Sequence, residues 1–315
     1  MSKPKKIRML KLLVKLLVSV SIIAYLFSKA DLSQVLGRMK TADLWLVSLS
    51  IGLLFALVFP QAFRWQKILG ATAAQIKYSL ALGTTMVGCF FNQVLPTTVG
   101  GDAFRIWYAC RFGIRLRTAT QSVIFDRLSA LMAVSLILLL CSPWLGLVFS
   151  SNQPVFTVLI FAFVFLAGCI ILLISDYLIP SFLPGSLKKQ AVEFSGAARQ
   201  VFLGRTGLKV VAVSAAMQFA IALAVWLLAQ SMQIQLDLVH VLLLMPVILL
   251  VTSIPVSIAG WGVRESSMVV VFGMVGMPTE SAISLSLSFG LAMLLASLPG
   301  GIAWWLMHHE VPQTE

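Results

Sequence analysis

The stretch Asn92-Gln93-Val94-Leu95-Pro96-Thr97-Thr98-Val99-Gly100-Gly101-Asp102-Ala103-Phe104-Arg105 decides how the chain is read. It interrupts an apolar run, Tyr78–Leu95, which then resumes as a short helix over Asp102–Phe112. A spanning helix needs about 20 apolar residues, and neither piece is that long. A helix, a Pro/Gly-rich break and a half-length helix form the pattern of a re-entrant hairpin or broken helix. The pattern recurs. Val239–Ile254 runs into Pro255-Val256-Ser257-Ile258-Ala259-Gly260-Trp261-Gly262 and resumes as Val263–Gly273.

Pro96 to Arg105 aligns without gaps on Pro255 to Arg264, with the proline, the second glycine and the arginine identical. Six uninterrupted segments surround the two breaks: 10–28, 44–63, 118–141, 155–174, 208–230 and 281–306. Three of them separate the breaks, so the second break is inverted relative to the first. The expected fold is an all-α polytopic membrane protein with about six full spans and two re-entrant hairpins. These eight hydrophobic helices form a single transmembrane domain over 1–315, with inverted halves at about 10–141 and 155–306. Inverted repeats with broken helices are a transporter architecture.

Composition excludes a soluble fold. Apolar residues make up 59% of the 315, charged residues 11%, and mean hydropathy is +0.98; soluble domains carry roughly 25% charged residues. The net charge of +12 is read as loop charge that sets orientation, not as a nucleic-acid footprint. Lysines and arginines gather in the N-terminal stretch, at Arg64, Lys67 and Lys77, at Arg111, Arg115 and Arg117, and across 188–209. Hairpins that return to their side of entry put all of these on the cytoplasmic side, with both termini. The chain is therefore expected to be integral to a cell membrane, with its N- and C-termini cytoplasmic. The stretch from Ser175 to Lys209 reads as a loop, and its part 186–206 as solvated. Arg64-Trp65 and Trp304-Trp305 read as interfacial anchors.

No cofactor and no metal is expected. Cys89, Cys110, Cys141 and Cys169 lie in or beside apolar helices without a C-x-x-C pair, and the three histidines sit at segment ends. No nucleophile–base pair stands out, so the expectation is a non-enzyme.

The breaks carry the candidate site. A broken helix frees backbone N–H groups, and the start of the resumed helix is partly positive; both favour an anion. Gly100, Gly101, Gly260 and Gly262 allow close backbone approach. Arg105 and Arg264 can bind phosphate oxygens bidentately. Asn92, Gln93 and Ser257 add polar groups at membrane depth. Asp102, Asp126 and Glu265 balance Arg105, Arg127 and Arg264, and are candidates for charge balance or proton exchange. Asp102 and Arg105 are three residues apart and can pair directly. Asp126-Arg127 and Arg264-Glu265 are adjacent, so each is expected to find its partner elsewhere. The bland alternative is a structural ion-pair network, with the arginines capping carbonyls freed by the breaks.

Arg64-Trp65, Asn92 to Pro96, Gly100-Gly101-Asp102, Arg105, Pro255-Val256-Ser257, Gly260 and Gly262-Val263-Arg264-Glu265 together resemble the lysylphosphatidylglycerol synthetase transmembrane-region family. This is the flippase-like membrane half of the bacterial multiple peptide resistance factor. The resemblance covers about residues 10–306 and implies lipid translocation in the cytoplasmic (inner) membrane of a prokaryote, bacterial or archaeal. That factor carries a soluble aminoacyl-transferase domain after its membrane half. This chain ends at Glu315, so synthase activity is not expected. The expected function is a lipid flippase or transporter whose anionic, phosphate-bearing phospholipid binds between the two hairpins. Two alternatives stay open: a small-anion secondary transporter, and a non-catalytic membrane subunit of a lipid or glycan synthesis complex. Expected partners are membrane lipids with an anionic headgroup, with a homo-oligomer or a membrane partner enzyme also open, and no nucleic acid.

Overall fold

A computed structural model describes residues 32–72, 74–95, 99–148, 152–178, 185–253 and 262–309. The expected span 10–28, Pro96, Pro255, Ser257 and Gly260 lie outside the described residues. Every element within them is helical. The first stretch holds α1 (Leu32–Lys40), α2 (Leu44–Ala56) and α3 (Val58–Ala71); the first broken segment is α4 (Tyr78–Val94) and α5 (Gly100–Arg111). Then come α6 (Leu116–Leu140), α7 (Ser142–Val148), α8 (Asn152–Leu173), α9 (Ser175–Leu178), α10 (Gly185–Phe202) and α11 (Arg205–Ser231). The second broken segment is α12 (Leu238–Thr252) and α13 (Val263–Gly273), and α14 (Thr279–His309) closes the described chain.

Among the described residues, five stretches are long and apolar enough to cross a membrane: 44–71, 116–140, 155–173, 205–231 and 279–306. The protein is an integral, all-helical membrane protein. At 1.5 Å per residue α4 is about 26 Å long and α5 about 18 Å, short of the roughly 30 Å hydrocarbon core. The pair does not run on as one rod. A Cβ at Gly88 would lie 3.2 Å from the Arg105 side chain, 17 positions ahead in the chain. Such proximity requires α5 to fold back along α4. Likewise α13 packs on α12.

Two glycines make the first fold-back possible. A Cβ at Gly101 would sit 1.9 Å from the carbonyl oxygen of Gly88, inside any allowed contact, so the helices touch backbone to backbone. The Gly101 N–H donates to Asn92 Oδ1 at 2.9 Å, so Asn92 satisfies a backbone donor exposed by the break.

The helical stretch expected over 44–63 continues past Arg64 to Ala71. Arg64 and Trp65 are buried, not interfacial anchors. An arginine ends an apolar run in sequence; it does not end a helix when a partner waits inside the bundle. Trp304 and Trp305 are exposed.

Central to the bundle is α11, which packs on α2, α3, α6 and α12. Small side chains permit this, as where Ser50 Oγ donates to the Ala224 carbonyl at 2.9 Å. The last helix, α14, reaches both broken segments. Gly300 lies against Met86 and Phe90 of α4, and Gly290 lies against Arg264 of α13. Phe156, Ile160, Phe161 and Phe163 of α8 are exposed apolar side chains, as a lipid-facing helix requires.

The stretch expected as a loop, 175–209, instead holds α9, α10 and the start of α11. Ser195, Ala198 and Val201 bury one face of α10, and Phe194 and Phe202 pack on Phe125 of α6. Small residues on that face hid it from an apolar count. Arg199 anchors the helix: its Nη1 and Nη2 donate to the two Asp176 carboxylate oxygens at 2.8 Å. The Arg199 hydrogen bonds hold the Asp176 carboxyl down at about 2, from an ordinary 3.8. The tether is therefore complete above pH 4 and is lost as pH falls through the interval from 3.8 to about 2. A spin label at exposed Gln200 is expected to keep its mobility from pH 7 to pH 4 and to loosen as pH falls toward about 2. In Asp176→Asn it is expected to be loose at every pH; a pH-independent spectrum in both proteins contradicts the tether.

Candidate functional site

Three helices bring five charged side chains together around the first break. Arg64 comes from α3, Asp102 and Arg105 from α5, and Asp126 and Arg127 from α6. Asp126 sits at the centre. Its Oδ1 accepts from Arg64 Nε at 2.7 Å and its Oδ2 from Arg105 Nη1 at 2.9 Å. Arg64 Nη1 also donates to Ser214 of α11 at 2.9 Å. Asp102 accepts from Arg127 Nε at 2.9 Å. The expected Asp102–Arg105 pair is present but long, at 3.7 Å, because each has a nearer partner on α6.

Burial makes this cluster unusual. The side chains of Arg64, Arg105 and Asp126 are 6%, 3% and 2% exposed. Trp65 covers one face of the Arg105 guanidinium, 4.5 Å from its ring centre, and donates its own indole N–H to Ser122 at 3.1 Å. Within that setting Arg105 Nε and Nη2 are buried and have no hydrogen-bond partner among the described residues. An unmade hydrogen bond from a buried charged group costs about 1–3 kcal/mol or more.

The charge count points the same way. Asp102, Asp126 and Glu265 balance three arginines on paper, and Arg64 is the fourth. The cluster around the first break alone holds three arginines against two aspartates. Nothing in the local sequence of Arg64 announces this role. Its signals are its place in an apolar segment that goes on beyond it and its share, with Trp65, in the family resemblance.

The second break is built differently. Arg264 Nη2 and Nε donate to Oε1 of the adjacent Glu265 at 2.8 and 3.2 Å. The expectation that neighbours cannot pair fails here because both side chains curl toward α14. Ser286 of that helix donates to the same Glu265 oxygen at 3.2 Å. The other oxygen accepts from the N–H of Gly262, whose φ of +87° suits only glycine. Phe289 faces the Arg264 guanidinium at 5.8 Å, and Gly290 leaves it room. Arg264 and Glu265 thus form one ion pair, and Arg105, Asp102, Asp126 and Arg127 form part of another group. Gly100 packs against Leu95, and Gln93 is half-buried one residue beyond Asn92.

The model of the lysylphosphatidylglycerol synthase TM region matches residues 12–300, nearly the whole chain. The chain belongs to that family. Both broken segments, the Arg64–Asp126–Arg105 cluster and the Arg264–Glu265 pair fall within the matched family region. No curated protein matches the chain.

Proposed function

We propose that the protein is a lipid transporter of the flippase type that binds the phosphate of an anionic lipid at Arg105. One observation carries the reading: Arg105 is buried at a helix break, with its Nε and Nη2 donors unpartnered among the described residues. Phosphate oxygens are the natural acceptors for that edge of a guanidinium. The excess positive charge of the surrounding cluster supports an anion over a neutral ligand. Asp126 and Asp102 hold the arginines in place, and their carboxylates are positioned to exchange partners as an anion enters or leaves.

The two broken segments serve as the inverted halves of the carrier, and the Arg264–Glu265 pair braces the second. With its basic loops inward, the protein sits in the cytoplasmic membrane. It moves its substrate without altering it chemically.

The test is translocation in liposomes containing the purified protein. Headgroup-labelled anionic, zwitterionic and aminoacylated lipids are followed by quencher accessibility, with and without a proton gradient. Headgroup-selective translocation is expected in the wild type. Arg105→Gln is expected to slow it about 10- to 100-fold, the kinetic equivalent of one lost charged hydrogen-bond partner. Translocation of no lipid, or selective translocation indifferent to Arg105→Gln, overturns the proposal.

A further inference from the structure

We infer that Arg127 is the point at which the lipid phosphate first docks, on the flank of the protein that faces the bilayer. The inference rests on the lipid-transport reading and gives it an entrance. Arg127 lies in the middle of α6, about 17 Å from Leu116 and about 20 Å from Leu140 along the helix. Unlike its buried neighbours, its side chain is 53% exposed. Its helix-face neighbours three residues before and four after are Ile124, 40% exposed, and Leu131, half-buried. Apolar side chains thus flank the charge on both sides, as on a helix face turned to lipid.

An arginine facing hydrocarbon is costly, and such residues mark substrate paths. The path inward is visible atom by atom. Arg127 Nε is 2.9 Å from Asp102 Oδ2, and Asp102 Oδ1 is 3.7 Å from Arg105 Nη1. Asp102 therefore holds the outer arginine with one oxygen and reaches toward the inner one with the other. A phosphate arriving at Arg127 competes with Asp102 for the guanidinium. The displaced carboxylate can then close its long contact with Arg105. The headgroup enters sideways and its acyl chains stay in the bilayer beside Ile124 and Leu131. A free aqueous anion has no such approach.

A benzophenone amino acid placed at Ile124 tests this in vesicles of equal parts phosphatidylglycerol and a glycosyl diacylglycerol with the same chains. The control position is Ile160 of α8, an exposed site on an apolar helix. Cross-links at Ile124 are expected to favour the phosphate-bearing lipid by about tenfold over those at Ile160, equivalent to about 1.4 kcal/mol. The preference is expected to vanish in Arg127→Gln and to persist in Arg127→Lys, which keeps the charge. It is also expected to persist in Arg105→Gln, so the docking point is judged separately from translocation. Equal lipid preference at Ile124 and Ile160 in the otherwise wild-type protein overturns the inference. So does a preference that survives Arg127→Gln.

Discussion

Asp126→Asn is expected to destabilise the protein by about 3–5 kcal/mol, the usual consequence of removing one partner from a buried ion pair. Asparagine keeps the shape of the side chain but removes the only charge that both Arg64 and Arg105 touch at hydrogen-bond distance. Their guanidinium groups, 6% and 3% exposed, are left facing a neutral amide. Asp102 cannot stand in at full strength, since its nearer partner is Arg127. For a chain of this size the thermal midpoint in detergent falls by about 2–4 °C per kcal/mol, so a drop on the order of 10 °C is expected. Combining Asp126→Asn with Arg64→Met removes one stranded charge and is expected to recover part of the loss. A single variant as stable as the wild type shows that water reaches these guanidinium groups, which contradicts the closed cluster.

Gly101→Ala should be nearly as damaging, for a steric reason. The added methyl meets the Gly88 carbonyl oxygen at 1.9 Å and its carbon at 2.6 Å. Both are backbone atoms of a packed helix, so no side chain can swing aside. Only separation of α4 from α5 relieves the clash, at about 1–3 kcal/mol or more. Separation also breaks the bond from Gly101 N–H to Asn92 and moves Arg105, one turn further along the same face. Loss of stability and loss of Arg105-dependent translocation are expected together. Gly52→Ala is the matched control, because nothing lies within 4 Å of its added methyl. In a helix interior that change is expected to be neutral or to stabilise by up to about 1 kcal/mol. Equal thermal midpoints for the two variants contradict the backbone-to-backbone contact.

Much of the helical plan was readable from the chain alone. The resumed helix after the second break, Val263–Gly273, has the expected bounds, and 118–141 is matched by Leu116–Leu140. Apolar run length and Pro/Gly interruptions are local properties, and a bilayer accepts few alternatives to a helix once the run is long enough. The same reasoning stopped too early at Arg64 and passed over α10. A charge or a small-residue face looks like surface until its partner is known.

The site divides along the same line. Arginines and carboxylates beside two glycine-rich breaks marked where chemistry would lie, because charge within apolar sequence is too costly to be idle. Their pairing belonged to tertiary structure. Arg64 and Asp126 are 62 positions apart in the chain and meet at 2.7 Å, whereas Asp102 and Arg105, three apart, are left at 3.7 Å. Arg264 turned to its own neighbour because Ser286, Phe289 and Gly290 of α14 shaped a pocket there. Local sequence determines which charges the membrane must accommodate. Which of them find acceptors, and which keep donors in reserve, is decided by helices that meet only when the bundle closes.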